Sequence, residues 1–471
     1  MPGFSSTIYF PGLPSITEDL DSSPIATILT AALFVLFMGI APLFWGSISD
    51  YYQMRRFLLV ISMVIFTGSS LGCALINDIR GLIVLRCIQS VGASAAMAVG
   101  GGCLADLYNV ENRGGPMSSF FLSMFIGPLI GPIIGGFLSM TSLSWRATFW
   151  CTVGLGGLIC ITTFVFMPET YRDNKKFDVI NNSPHTISPT PVTLVSAVSN
   201  NDTTINEQDI SGTDAIAINS HDHINNSKEC RLPNHGQVLN KKKVFNPIRP
   251  FLLLRYPHVM LPSLISGIVF GCFFATEAVL PILYEQIYGF VAWQIGLCYL
   301  GAGIGSVCGA VLQGYISDRL LLHARAKRDG VKVVEDRIGI NLWPCCLVLI
   351  PLGLLLFGWS LEYKMSHWIG IVGFGIQTFG MNQLLPEMNA YLLDAMSGQG
   401  ASVTAASISV RMVIACVLAL FASSLLDALG AGYLFVLFAG LSWIAAIMMF
   451  INKRYGQAMR HHYGFEQNGE T

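Results

Sequence analysis

The chain has 471 residues, 53% of them hydrophobic and only 12% charged, against roughly 25% charged in ordinary soluble domains. Its formal net charge of −1 leaves no basic footprint for nucleic acid, and a mean hydropathy of +0.58 leaves too little polar residue to cover a soluble fold. The composition therefore excludes soluble enzyme folds and points to an integral membrane protein. Twelve cysteines do not change this: eleven fall in apolar segments, only Cys230 is in a polar stretch, and no metal-type spacing occurs. In such segments cysteine packs as a small hydrophobe.

From the N-terminus, Phe4 to Ile16 is partly apolar but interrupted by Pro11 and Pro14. Thirteen helical residues would reach only about 20 Å, and no basic n-region or cleavage site marks a signal peptide. The expectation is the outer end of a first helix that is cut short in this sequence. Spans of about 20 apolar residues then follow at 25–48, 57–76, 81–106, 117–140 and 146–167, and again at 257–284, 291–316, 338–360, 366–394, 399–426 and 431–452. Between the two sets, residues 169–250 are rich in Asn, Ser, Thr and Asp, a composition that cannot bury enough surface to order itself. The predicted organisation is an all-α polytopic membrane protein: a bundle over 1–168, a disordered cytoplasmic linker over 169–250, a second bundle over 251–452, and a cytoplasmic tail over 453–471.

The positive-inside rule sets the orientation. Of 27 Lys and Arg, Arg80, Arg146 and Lys364 lie outside and Arg86 and Arg411 lie within spans, leaving 22 on the cytoplasmic side or at its edge. Both termini and the linker are expected in the cytoplasm, so the sequons at Asn181, Asn201 and Asn225 should carry no glycan. Lys241–Lys243, running into Pro250–Arg255, reads as a basic flank or an interfacial segment drawn to anionic lipid.

The two sets are related. Gly46-Ser-Ile-Ser-Asp50 follows the second span, and Gly314-Tyr-Ile-Ser-Asp318-Arg319 follows its counterpart 268 residues later. Internal repetition of this kind builds many transporters, with substrate held between the halves at the midplane. On these pentads the chain resembles the major facilitator superfamily, whose loop motif runs Gly-x-Leu-x-Asp-Arg-x-Gly-Arg-Lys/Arg. Gly46, Asp50 and Arg55 match it, while Tyr51, Gln53 and Met54 depart from it. The resemblance implies two six-helix bundles related by a pseudo-two-fold axis. It also implies a gating cluster of Asp50 and Arg55 with Asp106 and Arg113, mirrored by Gly314, Asp318 and Arg319. Simple solvated loop charges are the alternative.

The next span but two contains Gly127-Pro-Leu-Ile-Gly131-Pro132-Ile-Ile-Gly135-Gly136. Glycines four residues apart bare one helix face for close approach of a neighbour, and the prolines bend the helix. The pattern resembles the Gly-x-x-x-Gly-Pro-x-x-Gly-Gly motif of drug:proton antiporters. Leu85-Arg86-Cys-Ile-Gln89-Ser90 resembles the family's Arg-x-x-Gln-Gly motif, with Ser90 in place of glycine. Arg86 and Gln89 share a helix face, and an arginine there costs at least about 2.5–3.5 kcal/mol on insertion scales. Arg86 is therefore expected to face the cavity, pair with an acid and tune it, a structural ion pair being the alternative.

Glu277 is the first choice for the proton-carrying carboxylate. Apolar surroundings favour a protonated carboxyl and a nearby cation the ionised one, so alternation between the two would couple proton to substrate. In the 366–394 span, Gln383, Glu387, Tyr391 and Asp394 make one polar face, with Asn382 and Asn389 beside it. Glu387 is the second choice, with Arg411 as its expected counter-charge. Gln89, Asn382, Gln383, Asn389 and Tyr391 are the substrate-cavity candidates. Ser5–Pro14, Pro168-Glu-Thr170, Ala275-Thr-Glu277, Ala390–Asp394 and Ala401–Thr404 narrow the resemblance to the fungal twelve-span drug:proton antiporters, the quinidine-resistance and dityrosine exporter group. The resemblance implies a monomeric plasma-membrane exporter of drug-like cations, polyamines or related metabolites. It would be driven by the proton gradient and need no cofactor, metal or nucleic acid; vacuolar or prospore membranes are the other locations. A facilitator or symporter of the same fold, or a non-transporting sensor, is the competing reading. An intramembrane enzyme is not: His221-Asp222-His223 lies in the linker and His367 is isolated.

Overall fold

A computed structural model describes residues 2–107, 114–169, 249–326, 334–396 and 400–463. Those residues are helical apart from short turns, and their helices belong to one compact unit. The linker sequons, Arg113 and residues 464–471 of the predicted tail lie outside the described residues, as do the side chains of Asp50, Asp106 and Asp318.

The interrupted N-terminal segment is helical on both sides of its prolines. α1 (Pro2–Thr7) passes through a 3₁₀ turn at Phe10–Gly12 into α2 (Leu13–Asp19). The four spans after it are α3 (Pro24–Tyr52), α4 (Arg56–Leu75), α5 (Ile79–Leu107) and α6 (Gly114–Leu138), and α7 (Arg146–Phe166) closes the first set. Local chemistry sets several ends. Ser23 caps α3 by accepting the Ala26 N–H, Pro24 occupies its first turn, and Gln53 ends it in the left-handed region at φ 57°.

In the second half a short turn, α8 (Arg249–Leu252), leads to α9 (Pro257–Tyr288), stopped by Gly289 at φ 66°. The 291–316 run divides at Tyr299 into α10 (Ala292–Cys298) and α11 (Leu300–Ala326). The 338–360 run begins as turn, becomes helical in α12 (Leu342–Pro344), passes through a π-helical stretch at Cys345–Leu349 and continues as α13 (Ile350–Glu362). α14 (His367–Ala395) and α15 (Gly400–His462) complete the chain. Within α15, Gly430 leaves helical geometry at φ 79°, separating the two predicted spans. The last helix does not stop where its apolar run ends at 452: it continues to His462, so half of the expected tail is helix.

Among the described residues, eight helices are long and apolar enough to cross a membrane, one of them the broken Ser402–His462 helix that holds two predicted runs. α14 is not among them, because of its polar face. This is a multi-pass membrane protein. Many large apolar side chains remain on the outside, Phe166 and Ile447 among them, as expected where lipid replaces water. The main core runs through both halves: Tyr9, Phe34 and Phe149 from the first belong to one cluster with Phe274, Tyr299 and Phe374 from the second.

Candidate functional site

The glycine-rich stripe of α6 is clasped on two sides. A Cβ on Gly127 would stand 2.7 Å from the Phe4 backbone nitrogen, and one on Gly131 would stand 2.6 Å from Thr7 Oγ1. On Gly135 it would lie 1.6 Å from the Ile8 carbonyl oxygen. The adjacent face meets the second half: Gly136 packs on Ala292 and Trp293, and a Cβ on Gly296 would stand 2.5 Å from the Pro132 carbonyl oxygen. The motif thus seats the N-terminal segment on one face and α10 on the other, which only bare glycine backbones permit.

Arg86, on α5, is buried behind that segment. Its Nη1 donates to Gln89 Oε1 (2.6 Å) and to the Ser5 carbonyl (3.2 Å), and Gln89 donates onward to Ser70 Oγ (2.7 Å). The guanidinium centre lies 4.0 Å from the Tyr9 ring, 4.2 Å from Phe34 and 5.8 Å from Phe149. Cation–π attraction of this kind strengthens when the partners are desolvated. Nε and Nη2 make no hydrogen bond among the described residues. The expected acidic partner is therefore absent among the described residues: aromatic faces and two carbonyl oxygens take its place.

Glu277 is buried on α9 at the joint between halves. Tyr299 donates its hydroxyl to the Glu277 backbone carbonyl (2.7 Å), and Tyr299 also faces Phe10 at 6.4 Å, while Phe274 faces Phe10 at 6.0 Å. The Glu277 carboxyl itself makes no hydrogen bond or ion pair among the described residues.

The polar face of α14 forms a seam inside the second half. Gln383 accepts from Asn341 (3.5 Å), Glu387 accepts from Gln313 Nε2 (2.5 Å), and Asn341 also donates to Gln313 Oε1 (3.0 Å). Further along, Tyr391 donates to Glu335 (3.5 Å) and Asp394 pairs with Arg337 at 2.8 Å. Arg411 does not supply the counter-charge expected for Glu387: among the described residues it forms no ion pair, and it lies 5.6 Å from the Phe270 ring. An amide, Gln313, holds Glu387 instead. Asn382 donates to the Thr378 carbonyl (2.9 Å), leaving its Oδ1, like that of Asn389, without a partner.

Where the seam ends, a buried ion pair joins three segments. Arg460 grips Glu335 side-on, Nε to Oε1 at 3.2 Å and Nη2 to Oε2 at 2.8 Å, and Lys453 donates to the Glu335 carbonyl at 2.6 Å. The sequence put Glu335 in the loop before the 338–360 span and Lys453 and Arg460 in the cytoplasmic tail. Their signal was weak, because the cations lie beyond the apolar run and the acid 125 positions away. Tyr9, Phe34, Phe149, Gln313 and Asn341 were missed for a related reason: aromatics and single amides occur on many spans.

In the first half's loop motif, Arg55 donates through Nη1 to Ser49 Oγ (2.8 Å), and the Glu169 carboxylate accepts the backbone N–H of Arg55 (2.8 Å) and of Arg56 (3.2 Å). Gly46 meets Ala98, Gly314 has open space, and Arg319 is exposed near Tyr315. At the opposite end Asp19 accepts from Trp145 Nε1 (2.9 Å) and pairs with Arg146 (3.4 Å).

Comparison with known proteins agrees with this architecture. The sequence profile described as Major Facilitator Superfamily matches residues 2–328. The chain is 26% identical over 537 aligned positions to the MFS antiporter QDR3 of Candida albicans, covering 98% of this chain and 76% of that protein. It is 31% identical over 460 positions to the MFS transporter prlG of a fungal species (strain NRRL 50135), covering 97% of this chain and 88% of that one. Among solved structures, the nucleoside transporter NupG superposes with a TM-score of 0.60 at 11% identity, covering 95% of this chain and 97% of that one. The human organic anion transporter MFSD10 superposes with a TM-score of 0.56 at 16% identity, covering 94% and 89%.

Proposed function

The chain belongs to the Major Facilitator Superfamily, and on that footing we propose that it is a proton-coupled antiporter, exporting small organic molecules in exchange for external protons by alternating access. The observation that carries the reading is Glu277: a buried carboxyl with no fixed partner, on the helix whose aromatic neighbours meet Phe10 of the other half. A carboxyl so placed can take up and release a proton as the halves rock, because movement at that joint changes what faces it. The glycine stripe of α6, wedged between the N-terminal segment and α10, and the antiporter designation of the Candida relative support the same reading.

Both termini face the cytoplasm in this proposal, in the plasma membrane, and the protein acts as a monomer. Asp50, Arg55, Asp106 and Arg113 gate one half, and Gly314, Asp318 and Arg319 the other. Gln89, Asn382, Gln383, Asn389 and Tyr391 contribute polar groups to the transport path, and Glu387 is the second site for the proton.

The test is substrate-driven proton movement in proteoliposomes holding a trapped pH dye. Wild-type protein should move protons when substrate is added, and Glu277→Gln should not. Proton movement that survives the substitution removes Glu277 from the role. Substrate movement without protons turns the reading to a facilitator, and no movement of any compound turns it to a sensor.

A further inference from the structure

We propose that the transported molecule is an organic anion, a carboxylate or similar planar anionic group on a flat or aromatic skeleton, and that Arg86 receives it. This names the substrate class of the transporter proposed above and rests on that reading, and it departs from the cationic drugs and polyamines that resemblance suggests.

The first argument is the shape of what Arg86 leaves unmade. Its Nη1 is occupied by Gln89 and the Ser5 carbonyl, while Nε and Nη2 have no partner although the residue is only 1% exposed. Nε and Nη2 form one edge of the guanidinium, and that edge presents two parallel N–H donors spaced for the two oxygens of a carboxylate. Buried donors of this kind are almost always paired. Water could satisfy either one, but only a planar oxyanion satisfies both while neutralising the charge.

The second argument is the surroundings of that edge. Tyr9 and Phe34 lie against the guanidinium at 4.0 and 4.2 Å. A group approaching along the plane of the guanidinium therefore passes aromatic rings, which favour a flat apolar body behind the anionic head. Tyr9 precedes Phe10, whose ring meets Phe274 and Tyr299 of the second half. Relative motion of the halves therefore acts directly on the residue that covers Arg86.

The third argument is the balance of charge. Among the described residues within the spans, Arg86 and Arg411 have no acidic partner, and Glu277 is the one carboxyl there that makes no polar contact. Glu387 belongs to the seam with Gln313 and borders a small pocket lined by Asp336, Arg337 and Asn341. Two guanidinium charges face two buried carboxyls, Glu277 and Glu387, so the middle of the bundle is positive whenever either carboxyl is protonated. A polyamine would meet like charge there, whereas an anion would be drawn in.

The experiment measures binding by calorimetry to the full chain in lipid nanodiscs, using matched pairs that share a skeleton: benzoate and benzylamine, 1-naphthoate and 1-naphthylmethylamine, decanoate and decylamine. The expected result is that the aromatic carboxylates bind and their amines do not. Arg86→Gln should weaken carboxylate binding by about tenfold or more, and Arg86→Lys by an intermediate factor, because an ammonium keeps the charge but loses the paired donors. Amines binding more tightly than carboxylates, undiminished carboxylate binding by Arg86→Gln, or no carboxylate binding across the panel would overturn the proposal. If Arg86→Gln fails to fold, the matched pairs on wild type and Arg86→Lys decide it. Because binding is read without proton movement, the two readings separate. A carboxylate that binds but moves no protons sinks the antiport reading alone, and an amine that drives protons sinks the anion reading alone.

Discussion

Gly135 of α6 lies directly beneath the Ile8 carbonyl, so close that a methyl group on it would sit 1.6 Å from the oxygen. The N-terminal segment and the glycine stripe therefore form one contact surface. Gly135→Ala must push residues 4–8 away from α6, at a cost of about 1–3 kcal/mol for overpacking. Purified Gly135→Ala should unfold at a lower temperature than wild type and lose transport. Gly157→Ala, where a Cβ would meet nothing within 4 Å, should do neither. Equal melting temperatures for the two variants would mean that this contact is not held.

The Arg460–Glu335 pair is buried on both sides, 0% and 6% exposed at the side chains. Removing one member strands the other's charge, which typically costs about 3–5 kcal/mol, whereas an apolar replacement of both is often neutral. Glu335→Leu or Arg460→Met alone should strongly lower thermal stability, and the double variant should recover much of it. Additive losses in the double variant would show that the two side chains act independently.

The course of the chain was largely legible in its sequence, and the reason is physical. A lipid-facing helix must be apolar over about 20 residues, so the predicted spans are helical over most of their length, although the 291–316 run divides at Tyr299 and the 338–360 run begins as turn. The division of the last pair at Gly430 coincides with a gap between apolar runs. Partnerships were not legible. Arg86 was expected to find an acid and finds Tyr9 and Phe34, because desolvation of a cation can be offset by ring faces as well as by a carboxylate. Glu387 was expected beside Arg411 and lies beside Gln313. Periodicity gives the face of a helix, and the helix that face meets depends on bundle geometry. The continuation of α15 to His462 followed no hydropathy signal because buried charge, through Glu335 and Lys453, holds it.

The two candidate proton carriers differ in what their carboxyl groups hold, and isosteric replacement separates them. The Glu277 carboxyl makes no polar contact among the described residues, so Glu277→Gln removes nothing structural and should change stability by less than about 1 kcal/mol while stopping proton movement. Glu387 accepts from Gln313, which is in turn held by Asn341. Glu387→Leu should leave those amides unsatisfied and cost about 1–3 kcal/mol.

Gln313 gives the sharper form of that comparison. Gln313→Leu removes the donor to Glu387 and the acceptor for Asn341 in one step, without touching a charge. If Glu387 serves only to hold the seam, the substitution should lower stability by about 1–3 kcal/mol and leave the pH profile of transport where it was. If Glu387 titrates during the cycle, loss of the Gln313 hydrogen bond changes what its carboxyl faces, and the profile should move. Thermal unfolding and a pH series on the same preparation distinguish the two. A shifted profile with unchanged stability would make Glu387, rather than Glu277, the group whose proton drives the exchange.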